Sequence, residues 1–227
     1  MKTIVLPDNE RIERAAALIG RVLREKPYAC IALSAADDCL PVYRRLTEQS
    51  GIDFSEARFF AVTEFEGIDV NDARSCRARL SAALEGTGAE ITFLSTDVLD
   101  RYDRMIAESG GLDLAVLGLG INARIGFNEI ATPFGSRTHR QKLAPASRRE
   151  LAALFGAEEL VPVCGLTMGI RTLTEAREIL VTASGEERAK AVFNMLYGRD
   201  DSVVPAAFLQ IPSEVTAIVD EAAASLL

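Results

Sequence analysis

The stretch Asp113 to Glu129, D-L-A-V-L-G-L-G-I-N-A-R-I-G-F-N-E, restricts the fold more than any other part of the chain. Leu114 to Leu117 is short and wholly apolar, the composition of a strand buried on both faces, and such strands are typical of parallel sheets. Gly118 and Gly120 close the run. Glycines spaced in this way let a backbone approach a ligand closely or turn through positive φ, and the polar residues Asn122, Arg124, Asn128 and Glu129 follow at once. In open α/β sheets, ligands sit beyond the carboxyl ends of strands, where loops of this kind lie. A plain strand-to-loop turn carrying surface polar residues fits the same short pattern.

The rest of the chain repeats the alternation of short apolar runs with amphipathic segments. After Pro7 and Asp8, the residues Ile12, Ala15, Ala16, Ile19, Val22 and Leu23 recur at helical spacing as far as Lys26. Ala29 to Leu33 reads as a strand, Ser34 to Asp38 as a loop and Pro41 to Glu48 as a helix. Arg58 to Phe65 reads as one strand, Asn71 to Leu84 as a helix and Glu90 to Leu94 as a strand. Asp97 to Ser109 is a further helix, stopped by Gly110-Gly111. Beyond the central strand come helices at Ser147 to Phe155, Thr172 to Ala176 and Glu186 to Tyr197. Strands are expected at Glu178 to Ala183 and Val215 to Asp220. Strands alternating with helices of about 10 to 15 residues imply a three-layer α/β/α sandwich around a mostly parallel sheet, with residues 1–227 forming one domain.

Composition narrows the function classes. With 227 residues and 48% hydrophobic content the chain can bury a large core. The formal charge of −8 with interspersed signs gives no basic stripe for nucleic acid, and a site for an anion has to be local. The three arginines Arg74, Arg77 and Arg79 read as a solvated helix face. Cys30, Cys39, Cys76 and Cys164 lack C-x-x-C spacing, which argues for reduced, buried thiols and against a zinc site. No cationic apolar leader and no membrane-length apolar span is present, so a cytoplasmic protein with no membrane association is expected.

The longer pattern L-G-L-G-x-N-x-x-I-G-F-N-E, followed by Ser136-Arg137-Thr138 and Leu143, resembles the signature of the glucosamine-6-phosphate deaminase and galactosamine-6-phosphate isomerase family. The resemblance extends along nearly the whole chain and implies a deaminase/isomerase-like Rossmann-type topology, with a strand and turn at Val161 to Ile170 and a helix entry and short strand at Pro205 to Gln210. It also implies a carbohydrate activity: a hexosamine 6-phosphate becomes a ketose 6-phosphate with loss of ammonia, by proton transfer between C1 and C2. No metal or organic cofactor is implied. The expected partner is a small sugar or sugar phosphate, with a homo-oligomer also possible.

Carried over residue by residue, the resemblance places the catalytic group at Thr63, Glu64, Asn122, Arg124 and Glu129. At Thr63 the family has an Asp that shuttles the proton, and at Arg124 a His that opens the sugar ring. A hydroxyl cannot act as a base near neutral pH, and arginine stays protonated, although it can bind an anion or stabilise an enolate oxygen. Glu64 and Glu129 remain as acid/base candidates, with Arg124 and Glu129 expected to point into one cavity. Substrate contacts fall on Ser34, Ala35, Ala36 and Gly120, with Arg149 (or the neighbouring Arg148) and Arg188 as anion contacts. Asp37 and Asp38 would cap the following helix and bring negative charge to the phosphate loop. His139, among Arg137, Arg140 and Lys142, reads as a surface residue, and with Gln141 it replaces cations that form an effector site in oligomeric members. Two other readings follow from these substitutions: a catalytically silent relative binding a sugar phosphate or sugar acid, and a 6-phosphogluconolactonase-like hydrolase.

Overall fold

A computed structural model of the chain describes residues 1–198, 204–212 and 214–227. The strands are β1 (Lys2–Leu6), β2 (Cys30–Leu33), β3 (Arg58–Ala61), β4 (Thr63–Phe65), β5 (Glu90–Thr92), β6 (Leu114–Gly118), β7 (His139–Lys142), β8 (Cys164–Thr167), β9 (Glu178–Ala183) and β10 (Val215–Asp220). The α-helices are α1 (Asp8–Glu25), α2 (Leu40–Thr47), α3 (Cys76–Ala83), α4 (Tyr102–Glu108), α5 (Pro145–Phe155), α6 (Ile170–Thr174) and α7 (Ala189–Tyr197). Seven strands form a parallel sheet in the order β1-β10-β9-β6-β2-β3-β5. The expected α/β fold is the one observed.

Alternate side chains of each strand enter opposite cores, as the period of two requires. Ile31, Leu33, Phe59, Leu114 and Val116 pack with α1, α2 and α3, while Cys30, Ala32, Phe60, Ala115 and Leu117 pack with α4, α6 and α7. β6, buried at all five residues, sits between β2 and β9. The chain leaves β2 towards β3 and β5 and later leaves β6 towards β9 and β10. That divergence opens a crevice at the carboxyl ends of β2 and β6, as at other switch points of doubly wound sheets.

Asp113 ties this region together. Its carboxylate accepts from the Cys30 amide at 2.9 Å and from Lys26 Nζ at 2.8 Å, while its own amide donates to Cys30 O at 2.8 Å. Asp113→Ala strands a buried amide and an ammonium together, so a loss of about 2 kcal/mol in denaturant unfolding is expected. Asp113→Asn keeps the acceptor for Cys30, and more than half of the stability is expected to return.

Several boundaries differ from the sequence expectation, for identifiable reasons. The run Arg58 to Phe65 divides at Val62: β3 stays in the parallel sheet, whereas β4 leaves it to pair antiparallel with β8 in a second sheet, β4-β8-β7. Phe59 to Val62 and Thr63 to Phe65 are buried alike, so periodicity alone carries no mark of the change. The helix expected from Asn71 starts only at Cys76, because Asp69 and Asp72 bind the amides two residues on in local turns and Ser75 is the cap, accepting from the Ala78 amide at 3.0 Å. The helix expected from Asp97 begins with a 3₁₀ turn at Leu99–Arg101, and that expected from Glu186 with one at Glu186–Arg188. Pro205–Gln210 is a 3₁₀ turn with no strand.

All four cysteines are free and buried. Burial pushes the Cys30, Cys39 and Cys76 thiols up to about 12, leaving them protonated and inert at neutral pH. Among the described residues, no helix is long and apolar enough to cross a membrane.

Candidate active site

A cavity of about 400 Å³ opens at the crevice. Its floor includes Phe65, Leu119 and Phe127, and α5 supplies one wall through Glu150, Leu151 and Leu154. Ser34, Ala35, Ala36, Thr63, Gly120, Arg124 and Arg188 all line it, so the structure brings together the larger part of the expected site. Glu64, Asn122, Glu129 and Arg149 are not among the lining residues.

The two glycines after β6 serve close packing of the chain on itself. Neither has positive φ; that geometry falls on Ala123 and Gly126. A Cβ on Gly118 would lie 2.4 Å from the Ala36 Cβ, and one on Gly120 would lie 2.6 Å from Arg124 Cγ. The first glycine therefore seats the β2 loop against β6, and the second gives the Arg124 stem its bed.

Arg124 is held on every side. Its Nε donates to Ser147 Oγ at 3.1 Å, Nη1 to Gly126 O at 2.8 Å and Nη2 to Glu150 Oε2 at 3.0 Å. Asn122 stands behind it, accepting from the Arg124 amide at 3.3 Å and donating to Ser147 Oγ at 3.2 Å and Glu129 Oε2 at 3.1 Å.

Glu129 does not point into the cavity beside Arg124. The tight turn marked by the Leu119–Ile125 and Ile125–Asn128 bridges carries it towards α5, where Oε1 accepts from the Ala144 amide at 3.0 Å. Glu64 is likewise not a solvated strand-end carboxylate. It is 8% exposed and accepts from the amides of Phe65 (2.8 Å), Cys76 (2.9 Å) and Arg77 (2.9 Å), the last two opening α3. Both carboxylates satisfy amides that helix starts leave without partners.

The expected anion contacts are also rearranged. Arg149 is exposed, because the turn of α5 that faces the cavity presents Glu150, while Arg148 donates to Glu158 O at 2.7 Å. Arg79, expected to face outward with its neighbours, instead lines the cavity with its side chain 13% exposed. Asp37 pairs with Arg79 across the rim. Asp38 does not cap α2; it turns inward to accept from Ser184 Oγ at 2.6 Å and to pair with Arg188 Nε at 2.9 Å. Arg188 also meets Glu187 at 2.6 Å and donates to Leu119 O at 3.1 Å. Three guanidiniums thus face one cavity, each paired with a carboxylate; Asp37, Glu150 and Glu187 line it beside Arg79, Arg124 and Arg188, so an anion entering it meets directed N–H donors rather than net positive charge.

His139 is half-buried in β7, bonded to Arg137 O at 2.8 Å and Gln141 Oε1 at 3.1 Å, and does not line the cavity. Among the described residues, no group of three or more His, Cys, Asp or Glu side chains is placed to hold a metal ion.

Comparison with known proteins gives this geometry a family. A glucosamine-6-phosphate deaminase of Bacillus velezensis is 36% identical over 228 residues, covering 95% of each chain. That of Rhodopirellula baltica is 37% identical over 237 residues, covering 98% of this chain and 94% of the relative. The chain belongs to the glucosamine-6-phosphate deaminase family. A solved monomeric glucosamine-6-phosphate deaminase superposes with a TM-score of 0.95 at 29% identity, covering the whole of both chains. The 6-phosphogluconolactonase of Trypanosoma cruzi, with a TM-score of 0.79 at 19% identity over 100% of this chain and 96% of that one, shares the fold. No family model matches the chain.

Two residues of the cavity wall, Arg79 and Glu150, lie outside the expected site. The three arginines of α3 share the pattern of a solvated face, and Glu150 follows an arginine pair. A helical wheel of α5 places Glu150 one turn before Leu154, on the face that this leucine turns to the cavity.

Proposed function

We propose that the protein acts on a hexosamine 6-phosphate bound in this cavity, converting it to the ketose 6-phosphate and releasing ammonia. The observation that carries the reading is the convergence of Arg79, Arg124 and Arg188 on a sugar-sized hollow at the β2/β6 switch point. An anionic ligand exchanges the exposed rim partners of Arg79 and Arg188, Asp37 and Glu187, for its own oxygens, while Asp38 and Glu150 stay paired. The loop of Ser34, Ala35 and Ala36 lies against Gly118 on the opposite wall and holds the sugar or its phosphate close to the backbone. Arg124 stands where the resemblance sets a ring-opening histidine, and its guanidinium suits a developing enolate oxygen.

A second reading, binding without turnover, draws support from one specific observation: Thr63 and Arg124 face the cavity, while the carboxylates of Glu64 and Glu129 are bonded to backbone amides. Ammonia release from glucosamine-6-phosphate and galactosamine-6-phosphate, measured beside calorimetric titration with each, separates the two. Ammonia formed in step with ketose phosphate supports the enzyme. Heat of binding with no ammonia over hours supports the silent relative, and the absence of both removes the sugar-phosphate assignment.

A further inference from the structure

Three carboxylates reach the cavity among the described residues, and they differ in how they are held. Asp37 and Glu187 lie at its rim with side chains 77% and 61% exposed, whereas Glu150 is 16% exposed. The two oxygens of Glu150 are not equivalent. Oε2 accepts from Arg124 Nη2 at 3.0 Å. Oε1 accepts one long bond, from the Ile121 amide at 3.4 Å, and lies 3.9 Å from Arg188 Nη2. One fixed carboxylate in the cavity therefore keeps an oxygen held only by a single long bond, beside a guanidinium able to stabilise an oxyanion.

We propose that Glu150 is the acid/base group of this site, moving a proton between C2 and C1 of the open-chain amino-sugar phosphate. The assignment rests on the hexosamine-phosphate reading above. Oε1 takes the C2 proton, the C2–H electrons form a C1=C2 double bond, and the C1 carbonyl oxygen becomes an enolate oxygen beside Arg124. That oxygen takes a proton from solvent. The carboxylic acid of Glu150 then returns its proton to C1, while the amine lone pair forms C2=N. Water adds at C2 and ammonium leaves, giving the ketone and a Glu150 carboxylate ready for another cycle. Thr63 is left to shape the cavity, its Oγ1 being 3.4 Å from Cys76 Sγ.

The test follows glucosamine-6-phosphate in D₂O, reading loss of the C2 proton signal by NMR alongside ammonia release, for the parent protein, Glu150→Gln and Glu150→Asp. Glutamine preserves a hydrogen-bond acceptor for Arg124 but cannot carry the proton. Its kcat is expected to fall by about 10²- to 10⁴-fold with KM changed less than threefold. Aspartate is expected to recover part of kcat, which guards against a loss due only to folding. Loss of the C2 proton signal in the parent without ammonia release, abolished in Glu150→Gln, would uphold Glu150 and defeat the deaminase reading. Signal loss and ammonia release unaltered in Glu150→Gln would overturn the assignment of Glu150 alone. A parent that binds the sugar but leaves its C2 proton signal intact would overturn both.

Discussion

Glu64→Ala is expected to lower the unfolding free energy by about 3 kcal/mol, a fall in Tm of roughly 10 °C for a chain of this size. The reason lies in the single carboxylate that accepts from three amides, Phe65, Cys76 and Arg77, in a largely buried corner. Alanine leaves those donors without partners, and water has little room to replace the lost oxygens. It also removes negative charge from the start of α3, where the helix dipole favours it. Because α3 carries Arg79 into the cavity, weaker sugar-phosphate binding is expected to accompany the loss of stability. Thermal unfolding followed by circular dichroism tests this directly. A midpoint within about a degree of the parent's, paired with an abolished kcat, would contradict the helix-start role and return Glu64 to the chemistry.

Arg188→Ala is expected to destabilise the fold by about 3 kcal/mol at neutral pH, since removing one member of a buried pair leaves the other charge uncompensated. The stranded group is Asp38, whose Oδ2 lies 2.9 Å from Arg188 Nε with both side chains largely buried. Burial raises Asp38 above its ordinary value of 3.8, opposed first by Arg188 and then by the Ser184 hydroxyl. The folded protein therefore holds this proton more tightly than the unfolded chain does. Its contribution to stability is complete below the unfolded value and is lost as the pH rises through the raised folded value. Deleting Arg188 raises the folded value further. The deficit of the variant relative to its parent should accordingly shrink on acidification and widen towards neutrality. Urea midpoints at neutral and mildly acidic pH measure it, and a deficit independent of pH would contradict the pairing. Adding Asp38→Asn to Arg188→Ala is expected to recover most of the neutral-pH loss.

The layered fold was legible because its signals are local and repeated. β6 was legible from composition, the observed Leu114–Gly118 running one residue past the apolar run Leu114 to Leu117. β9 and β10 were equally plain. The family was legible for a different reason: the G-L-G-x-N and I-G-F-N-E segments are long enough to be specific.

The site was legible only in part. Ser34, Ala35, Ala36, Gly120 and Arg188 line the cavity as expected, because strand ends and helix starts at a switch point are placed by topology. The orientation of individual carboxylates was not, because each depends on amides contributed by distant segments. Glu64 meets residues 12 and 13 positions away, and Glu129 meets Ala144. An acidic side chain in a motif reads the same whether it faces a ligand or an unpaired amide.

Alternation of apolar and amphipathic segments therefore determined the α/β architecture, the central place of β6 and the location of the cavity. Only the tertiary structure decided that Glu64 and Glu129 are bonded to backbone and that Arg79 and Glu150 turn inward. A buried amide without a partner costs a kilocalorie or more per mole, so helix starts claim the nearest carboxylate, and which one is nearest is settled only when the chain has folded.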